Sequence, residues 1–423
     1  MLSTYLSLPR AVHLLCLGTF INRAGTLIVP FLTIYLRRRL GLSEEFATLA
    51  LGAYGLGSVF AGVVGGHLAD TIGRRRVMLL ALVGSAALLV VLSFVTHRWL
   101  FVAGVLAFAA VGDMYRPAAA ALIADLVDPA RRPHAFGLMY VSINLGFAVG
   151  PVIGGMMSIY SFRLLFWADA GTSAAYALLI LLTIRETLAM RVTGRPAPST
   201  GPPEAEPAFS APPPEPIVPL RQAAAHIARN GPFLCFAGAT LLLGMGYMQG
   251  MSILPLYLEQ FGIGPDRYGR IIALNGLLIV LFQLPIAAVV ARCHRGRVMV
   301  LAAVVTGAGF GLKMFADSGP LFAATVVIWT LGEMLGSPTT PAIVSDLAPA
   351  AMRARYFGVI NMCFAGANML GAPIGGVVLH RLGGRVLWAG VFGVGLLAAL
   401  LFAAVRRQLA ARPAEPTAPD ANP

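Results

Sequence analysis

Charge is what this chain has least of. Of its 423 residues only 12% are Asp, Glu, Lys or Arg, against 58% apolar residues and a mean hydropathy of +0.79. A soluble domain carries about 25% charged residues, so too few polar side chains are present to cover a water-facing surface. Soluble enzymes and disordered tails are excluded, and an integral membrane protein is expected. Lysine is nearly absent: Lys313 is the only one among 31 basic residues. The four cysteines, Cys16, Cys235, Cys293 and Cys363, form no CxxC pair, which argues against a disulfide framework or a zinc site. No metal centre is expected, and none of the seven histidines reads as catalytic. There is no phosphate-binding loop to power a pump and no nucleophile–base arrangement, so the chain is not expected to be an enzyme. The net charge of +13 comes from short Arg clusters between apolar runs rather than from one basic module, so nucleic acid is not an expected partner. No cleavable signal is evident before the first apolar run.

What is present in abundance is apolar runs of bilayer length, about 20 residues each. Twelve spans are predicted, over residues 11–36, 46–69, 77–96, 99–123, 134–158, 163–184, 232–258, 268–291, 298–316, 320–343, 355–379 and 386–405. They group as six plus six: an N-terminal bundle over 1–185, a linker over 186–231, a C-terminal bundle over 232–406 and a disordered tail over 407–423. Residues 196–219 hold ten prolines in 24 positions and predict an extended, disordered linker. With the termini inside, 19 basic residues fall in cytoplasmic segments and nine on the opposite side. The positive-inside rule therefore puts both termini and the linker in the cytoplasm. Arg37, Arg38 and Arg39 run against that rule.

The halves repeat. One offset of 221 residues pairs Arg74, Arg76, Val77 and Met78 with Arg295, Arg297, Val298 and Met299, Pro117 with Pro338, Asp125 with Asp346, and Arg132 with Arg353. It also pairs Gly150, Ile153, Gly154 and Gly155 with Gly371, Ile374, Gly375 and Gly376. A six-helix unit duplicated in parallel suits a transporter whose halves rock about a central site.

Gly66-His67-Leu68-Ala69-Asp70-Thr71-Ile72-Gly73-Arg74-Arg75-Arg76, between spans 2 and 3, resembles the signature loop of the major facilitator superfamily, G-x-L-A-D-R-x-G-R-R. Thr71 stands where that family usually has a basic residue. The resemblance covers the whole chain except linker and tail. It implies an all-α membrane fold of twelve helices in two pseudo-symmetric bundles, working as a monomer in the cytoplasmic membrane without a cofactor. It also implies a gating role for Gly66, Asp70, Gly73, Arg74 and Arg75, whose charges can break and reform pairs between states. Ala291 replaces Asp70 in the second half, so the lock there should be weaker.

Gly146, Gly150, Pro151, Gly154 and Gly155 in span 5 resemble the G-x-x-x-G-P-x-x-G-G motif of the drug:proton antiporters. Small residues four apart also serve close helix packing on their own. Another drug-exporter hallmark, an Arg shortly before a Gly in span 4, is missing from Phe108–Gly112, and Arg116 lies beyond that glycine instead.

Mid-membrane charges default to functional candidates. Four are singled out: Arg23 in span 1, Asp113 and Arg116 in span 4, and Glu333 in span 10. In the family, spans 1, 4, 7 and 10 line the central cavity. Asp113 and Arg116, three apart, share a helical face and can pair. Pro117 should kink span 4 at Asp113, and Pro338 should repeat the kink in span 10. Glu333 has no basic residue within a turn of its own helix, which makes it the first choice of proton carrier, with Asp113 second. Arg23, after Asn22, is assigned to an anionic substrate group or to Glu333 as a switching partner. A static salt-bridge network is the alternative. In span 7, Tyr247, Met248, Gln249 and Met251 suit a tolerant pocket for amphipathic molecules. Tyr35 and Tyr257 read as interfacial anchors.

The expectation is a secondary transporter of a small organic solute, driven by the proton gradient and of multidrug-export type. The alternatives are a symporter or facilitator for a sugar, peptide or organic anion, and a non-transporting membrane sensor or scaffold.

Overall fold

The computed structural model describes residues 7–128, 131–184, 186, 220–349 and 352–407, without the side chains of Asp70, Pro133, Leu220, Arg353 and Ala354. Twelve helices are long and apolar enough to cross a membrane, and each lies on a predicted span. They run Arg10–Leu40 (span 1), Glu44–Ala69 (span 2), Arg74–Leu92 (span 3), Arg98–Leu126 (span 4), His134–Tyr160 (span 5) and Phe162–Thr183 (span 6). The second half follows as Gly231–Ser252 (span 7), Pro265–Val290 (span 8), Arg295–Phe315 (span 9), Gly319–Leu347 (span 10), Arg355–Leu382 (span 11) and Gly384–Val405 (span 12). No strand occurs among the described residues. The chain is therefore an all-α, multi-pass membrane protein. With twelve crossings, residues 7 and 407 share one face, called proximal below; the opposite face is distal.

Proline decides where spans break. Span 1 stops at Ala24 and resumes as a 3₁₀ turn Val29–Phe31 and a helix Leu32–Leu40. Pro30 lacks an N–H and its ring crowds the carbonyl four residues back, which disfavours a continuous helix here. Pro255 does the same beyond span 7, setting off the short helix Leu254–Glu259. Span 4 is interrupted between Gly112 and Tyr115, as Pro117 predicts, and the Asp113 carbonyl accepts the Arg116 N–H at 3.1 Å instead. Span 10 differs from span 4. Its helix runs unbroken through Pro338 and Pro341. The Met334 carbonyl, which Pro338 deprives of its helical partner, accepts the Gln283 side-chain amide of span 8 at 3.2 Å.

The stretch expected to be a disordered linker, residues 196–219, lies outside the described residues, as do 408–423 of the expected tail. Within the predicted 186–231 range, however, Leu220–Arg229 is a helix. Ala223 is buried, and His226 Nδ1 and Asn230 Nδ2 reach the Tyr356 hydroxyl at 2.9 and 3.0 Å. Glu186 accepts the Arg74 backbone N–H at 3.0 Å.

Packing shows how the halves sit. At the proximal end each half has its own apolar core, one around Val12, Met78, Leu122 and Tyr176, the other around Phe236, Met299, Tyr356 and Phe402. At the distal end a single core draws on both, with Phe31 and Tyr35 from span 1 and Tyr257, Tyr268 and Trp388 from the second half. Two seams join the halves, span 5 on span 8 and span 2 on span 11. Glycine permits the approach: a Cβ on Gly276 would fall 2.6 Å from the Ala148 nitrogen, and one on Gly55 2.6 Å from the Met369 nitrogen. Nearer the proximal face, a Cβ on Gly62, Gly66 or Gly358 would meet nothing within 4 Å.

Ion pairs repeat the asymmetry. Among the described residues, those crossing between halves are all distal. Arg38 pairs with Glu259, Arg37 lies 3.8 Å from the same carboxylate, and Arg381 lies 3.5 Å from Glu45. The structure is thus closed at its distal face. Arg37 and Arg38, anomalous by the positive-inside count, form that closure.

Candidate functional site

The break in span 4 places Asp113 at mid-span with a polar environment around it. Its carboxylate accepts the Ser58 hydroxyl at 2.6 Å and the Tyr54 hydroxyl at 3.4 Å, both from span 2, and pairs with Arg116 at 3.0 Å. Asp113 is buried, whereas half of the Arg116 side chain is exposed. The predicted pair therefore forms. It bridges a buried carboxylate and a guanidinium that borders open space.

Arg23 is 6% exposed and is turned into the N-terminal half. It donates to the Tyr115 hydroxyl and stacks over that ring, with 5.4 Å to its centroid. Neither Glu333 nor open space is its partner in this state. Asn22 donates to Ser173 of span 6 at 3.1 Å. Around Asn22 and Arg23 lies a cavity of about 30 Å³, also lined by Tyr54, Asp113, Tyr115 and Asp169.

Glu333 occupies the other half. Asn275 of span 8 donates to its carboxylate at 2.8 Å and also to Thr330 at 3.1 Å. Tyr247 of span 7 faces Glu333, and Tyr140 of span 5 faces Glu333 and Ser337 from across the molecule. No basic side chain pairs with Glu333 among the described ion pairs.

The span 7 group divides. Tyr247 is held by Thr306 at 3.2 Å and by the edges of Phe310 and Trp329. Gln249 is buried and donates to the Gly371 carbonyl at 2.8 Å, so its amide fastens span 7 to span 11 and does not face a pocket. The Met248 Cβ lies against Gly371, and Met251 is partly buried. The interfacial-anchor reading of Tyr35 and Tyr257 is corrected: both are buried in the shared distal core, against Phe101 and Phe166 and against Phe322 and Trp388.

Of the gating group, the Asp70 side chain lies outside the described residues. Arg74 is 1% exposed, pairs with Asp125 at 3.1 Å and donates to the Ala69 carbonyl at 3.0 Å. Arg75 donates to the Leu181 carbonyl at 2.8 Å. Gly73 has φ +110°, a conformation that favours glycine. The repeat produces the same lock in the second half, where Arg295 pairs with Asp346, both about one-third exposed.

Span 5's glycines bear on the break in span 1. A Cβ on Gly146 would strike Arg23, one on Gly150 would fall 3.1 Å from the Ala24 carbonyl, and one on Gly154 would press on Phe31. Gly155 faces Pro265 of span 8 instead, and the helix runs through Pro151. The repeat holds in space: Gly371 and Gly375 pack span 7, and Gly376 packs span 2.

Sequence reasoning missed Asp169, although the rule that singled out four charges applies equally to a carboxylate inside span 6. It noted Lys313 as the sole lysine without using its place within span 9. Lys313 is fully buried, 4.1 Å over Phe310 and 5.2 Å from Trp388. Ser58, Tyr54, Tyr115, Asn275 and Tyr140 carry no such signal, since their importance comes from what they face.

Comparison with known proteins agrees with this architecture. The sequence profile described as Major Facilitator Superfamily matches residues 15–266 and 238–422. An uncharacterized MFS-type transporter, YttB, of Bacillus subtilis is 29% identical, over 90% of this chain and 91% of its own. A Na(+), Li(+), K(+)/H(+) antiporter of Planococcus maritimus is 26% identical, over 84% and 86%. A multidrug resistance protein, MdtH, of Edwardsiella ictaluri is 23% identical, over 86% and 83%. Among solved structures, a POT family transporter bound to a thioalcohol-conjugated peptide superposes with a TM-score of 0.78 over 96% of this chain and 99% of that one, at 17% identity, and so shares the fold.

Proposed function

Because the chain belongs to the Major Facilitator Superfamily and is a membrane transporter rather than an enzyme, we propose that it is a proton-coupled antiporter. It exports small amphipathic organic molecules from the cytoplasm, as a monomer in the cytoplasmic membrane with both termini inside. The observation that carries this reading is Glu333. It is an acid at mid-span held by a neutral amide, faced by tyrosines from both halves, and without a basic partner among the described residues. An acid so placed can exchange its proton as the halves rock, because no fixed cation holds its charge. Asp113 is the second carrier, its charge shared with Arg116. The relatives named as an H(+) antiporter and as a multidrug resistance protein support antiport and export. Arg23 is committed to Tyr115, which weighs against the rival reading of an anion-binding symporter.

The test uses proteoliposomes with a pH-sensitive dye inside and a panel of lipophilic cations, sugars and organic anions outside. Proton release from acid-loaded vesicles as a compound enters is expected, and Glu333→Gln should abolish it while substrate still binds. Co-entry of protons would overturn antiport. Gradient-driven transport at the normal rate in the mutant would overturn the role of Glu333.

A further inference from the structure

Asp169 of span 6 is used by neither the lock nor the pairs described so far. It is 3% exposed, and its carboxylate accepts the Leu27 backbone N–H at 3.2 Å, with the Ile28 N–H beside it. Those N–H groups belong to the break in span 1, where the helical ladder is interrupted. A buried carboxylate thus holds the start of residues 29–40. The far end of that segment bears Arg37 and Arg38, which pair with Glu259, and its Phe31 packs edge-on against Tyr268 at 5.4 Å. Asp169 grips the element that closes the distal face.

The cavity beside it connects Asp169 to the rest of the chemistry. At about 30 Å³ and lined by Asn22, Ser173, Tyr54 and both carboxylates, it has the room and the polar partners for one or two waters. The charged and titratable groups that share the cavity with Asp169 are Arg23 from span 1, Tyr54 from span 2, and Asp113 and Tyr115 from span 4, with Arg116 behind Asp113. Span 3 contributes Leu82 and Ser85 to the cavity wall. Arg23 is the cation that faces Asp169, while Asp113 is paired with Arg116.

We propose that Asp169 is a second proton-binding site, loaded from Asp113 through the cavity water, and that its charge state sets the position of residues 29–40 and hence the distal closure. The proton leaves the Asp113 carboxyl, passes along the water and binds Asp169. The negative charge moves the opposite way, from Asp169 to Asp113, where Arg116 meets it. An ionised Asp169 holds the Leu27 N–H by a charge-assisted bond. A protonated Asp169 holds it weakly, and the half-helix is free to swing. Protonation therefore favours distal opening, and deprotonation favours the closed state seen here.

This inference rests on the alternating-access reading above, but not on Glu333 or on any substrate. Spin labels at Arg39 and Gln260, both exposed and flanking the closure, report its opening in nanodiscs without substrate. If the closed and open states differ by one unit in affinity for the proton, the open-to-closed ratio rises about tenfold as pH falls from about 9 to about 5. Asp169→Asn should stay open across that range and lose most of the pH response. A normal response in Asp169→Asn, or no response in the unmodified protein, would each overturn the proposal. Should Asp169→Asn fail to fold, Asp169→Glu decides. Its longer carboxyl should titrate with a displaced midpoint, and an unchanged midpoint would overturn the assignment. A normal label response together with silence in the vesicle assay would remove the export reading and leave Asp169 in place.

Discussion

Removing the negative charge at the distal closure should shift the conformational balance by a calculable amount. Glu259 is the common partner of Arg37 and Arg38, with only 11% of its side chain exposed, whereas the two arginines are 40% and 48% exposed. Pairs with one buried and one wet member stand between exposed bridges, worth about 0.2–1 kcal/mol, and fully buried ones. A total of about 1.5 kcal/mol follows for the two arginines together. Both pairs exist only when the halves meet, so Glu259→Gln should raise the open-to-closed ratio about tenfold. The assay is the distance distribution between labels at Arg39 and Gln260, with the four free cysteines replaced by serine. Raising ionic strength to about 1 M should move the unmodified protein the same way, since the Debye length falls to about 3 Å. It should leave Glu259→Gln almost unchanged. A shift below twofold, or an equal response to salt in both proteins, would refute the assignment of Glu259 as the main polar closure.

The two proximal locks should differ in strength despite their common origin. Arg74→Ala leaves the Asp125 carboxylate without its buried partner and should cost about 3–5 kcal/mol. Arg295→Ala, at a site one-third exposed, should cost about 1 kcal/mol or less. Thermal unfolding of the two variants in detergent should rank them in that order. On the seam between halves, a Cβ at Gly269 would collide with the Pro151 carbonyl. Gly269→Ala should open the distal face in the label assay while leaving each half folded, and a closed distribution would show that the backbones can part without cost. Asn275→Ala removes the amide that holds Glu333, a bond to a charged group worth about 1.5–3 kcal/mol. Proton-driven transport should fall about tenfold or more with substrate binding little changed, as measured by vesicle flux and equilibrium binding.

Features carried by single residues or by periodicity were legible in the sequence. The spans follow from apolar runs, the interruption of span 4 from Pro117, and the paired locks from the repeat that matches Arg74 and Asp125 with Arg295 and Asp346. What depends on the partner across a helix interface was not. Gln249 looks like a pocket amide until span 11 presents the Gly371 carbonyl, and Tyr35 and Tyr257 look like anchors until three neighbouring rings bury each of them. Pro338 marks an orphaned carbonyl, but nothing local shows that Gln283, 55 positions earlier, takes it up. Arg37 and Arg38 were visible as an anomaly, but Glu259 lies more than 200 positions away and nothing local connects them. Asp169 is a different case, for the rule that would have found it was in hand.

The distal arginines also constrain how the protein can be made. In the orientation proposed above, with both termini in the cytoplasm, the first hairpin must carry Arg37, Arg38 and Arg39 across a membrane whose cytoplasmic side is negative. Each elementary charge moved against that potential costs about 2.3 kcal/mol per 100 mV. Three arginines alone would cost about 7 kcal/mol per 100 mV by the same measure. Glu44 and Glu45 follow in the same hairpin, and Arg37 pairs with Glu44 at 2.6 Å, so the loop crosses with a net charge of one. Arg38 waits longer, because Glu259 leaves the ribosome only after the whole N-terminal bundle and the linker. During synthesis the first bundle therefore holds an unpaired cation on its far side, and insertion of span 7 supplies the missing anion, coupling assembly of the second half to completion of the first.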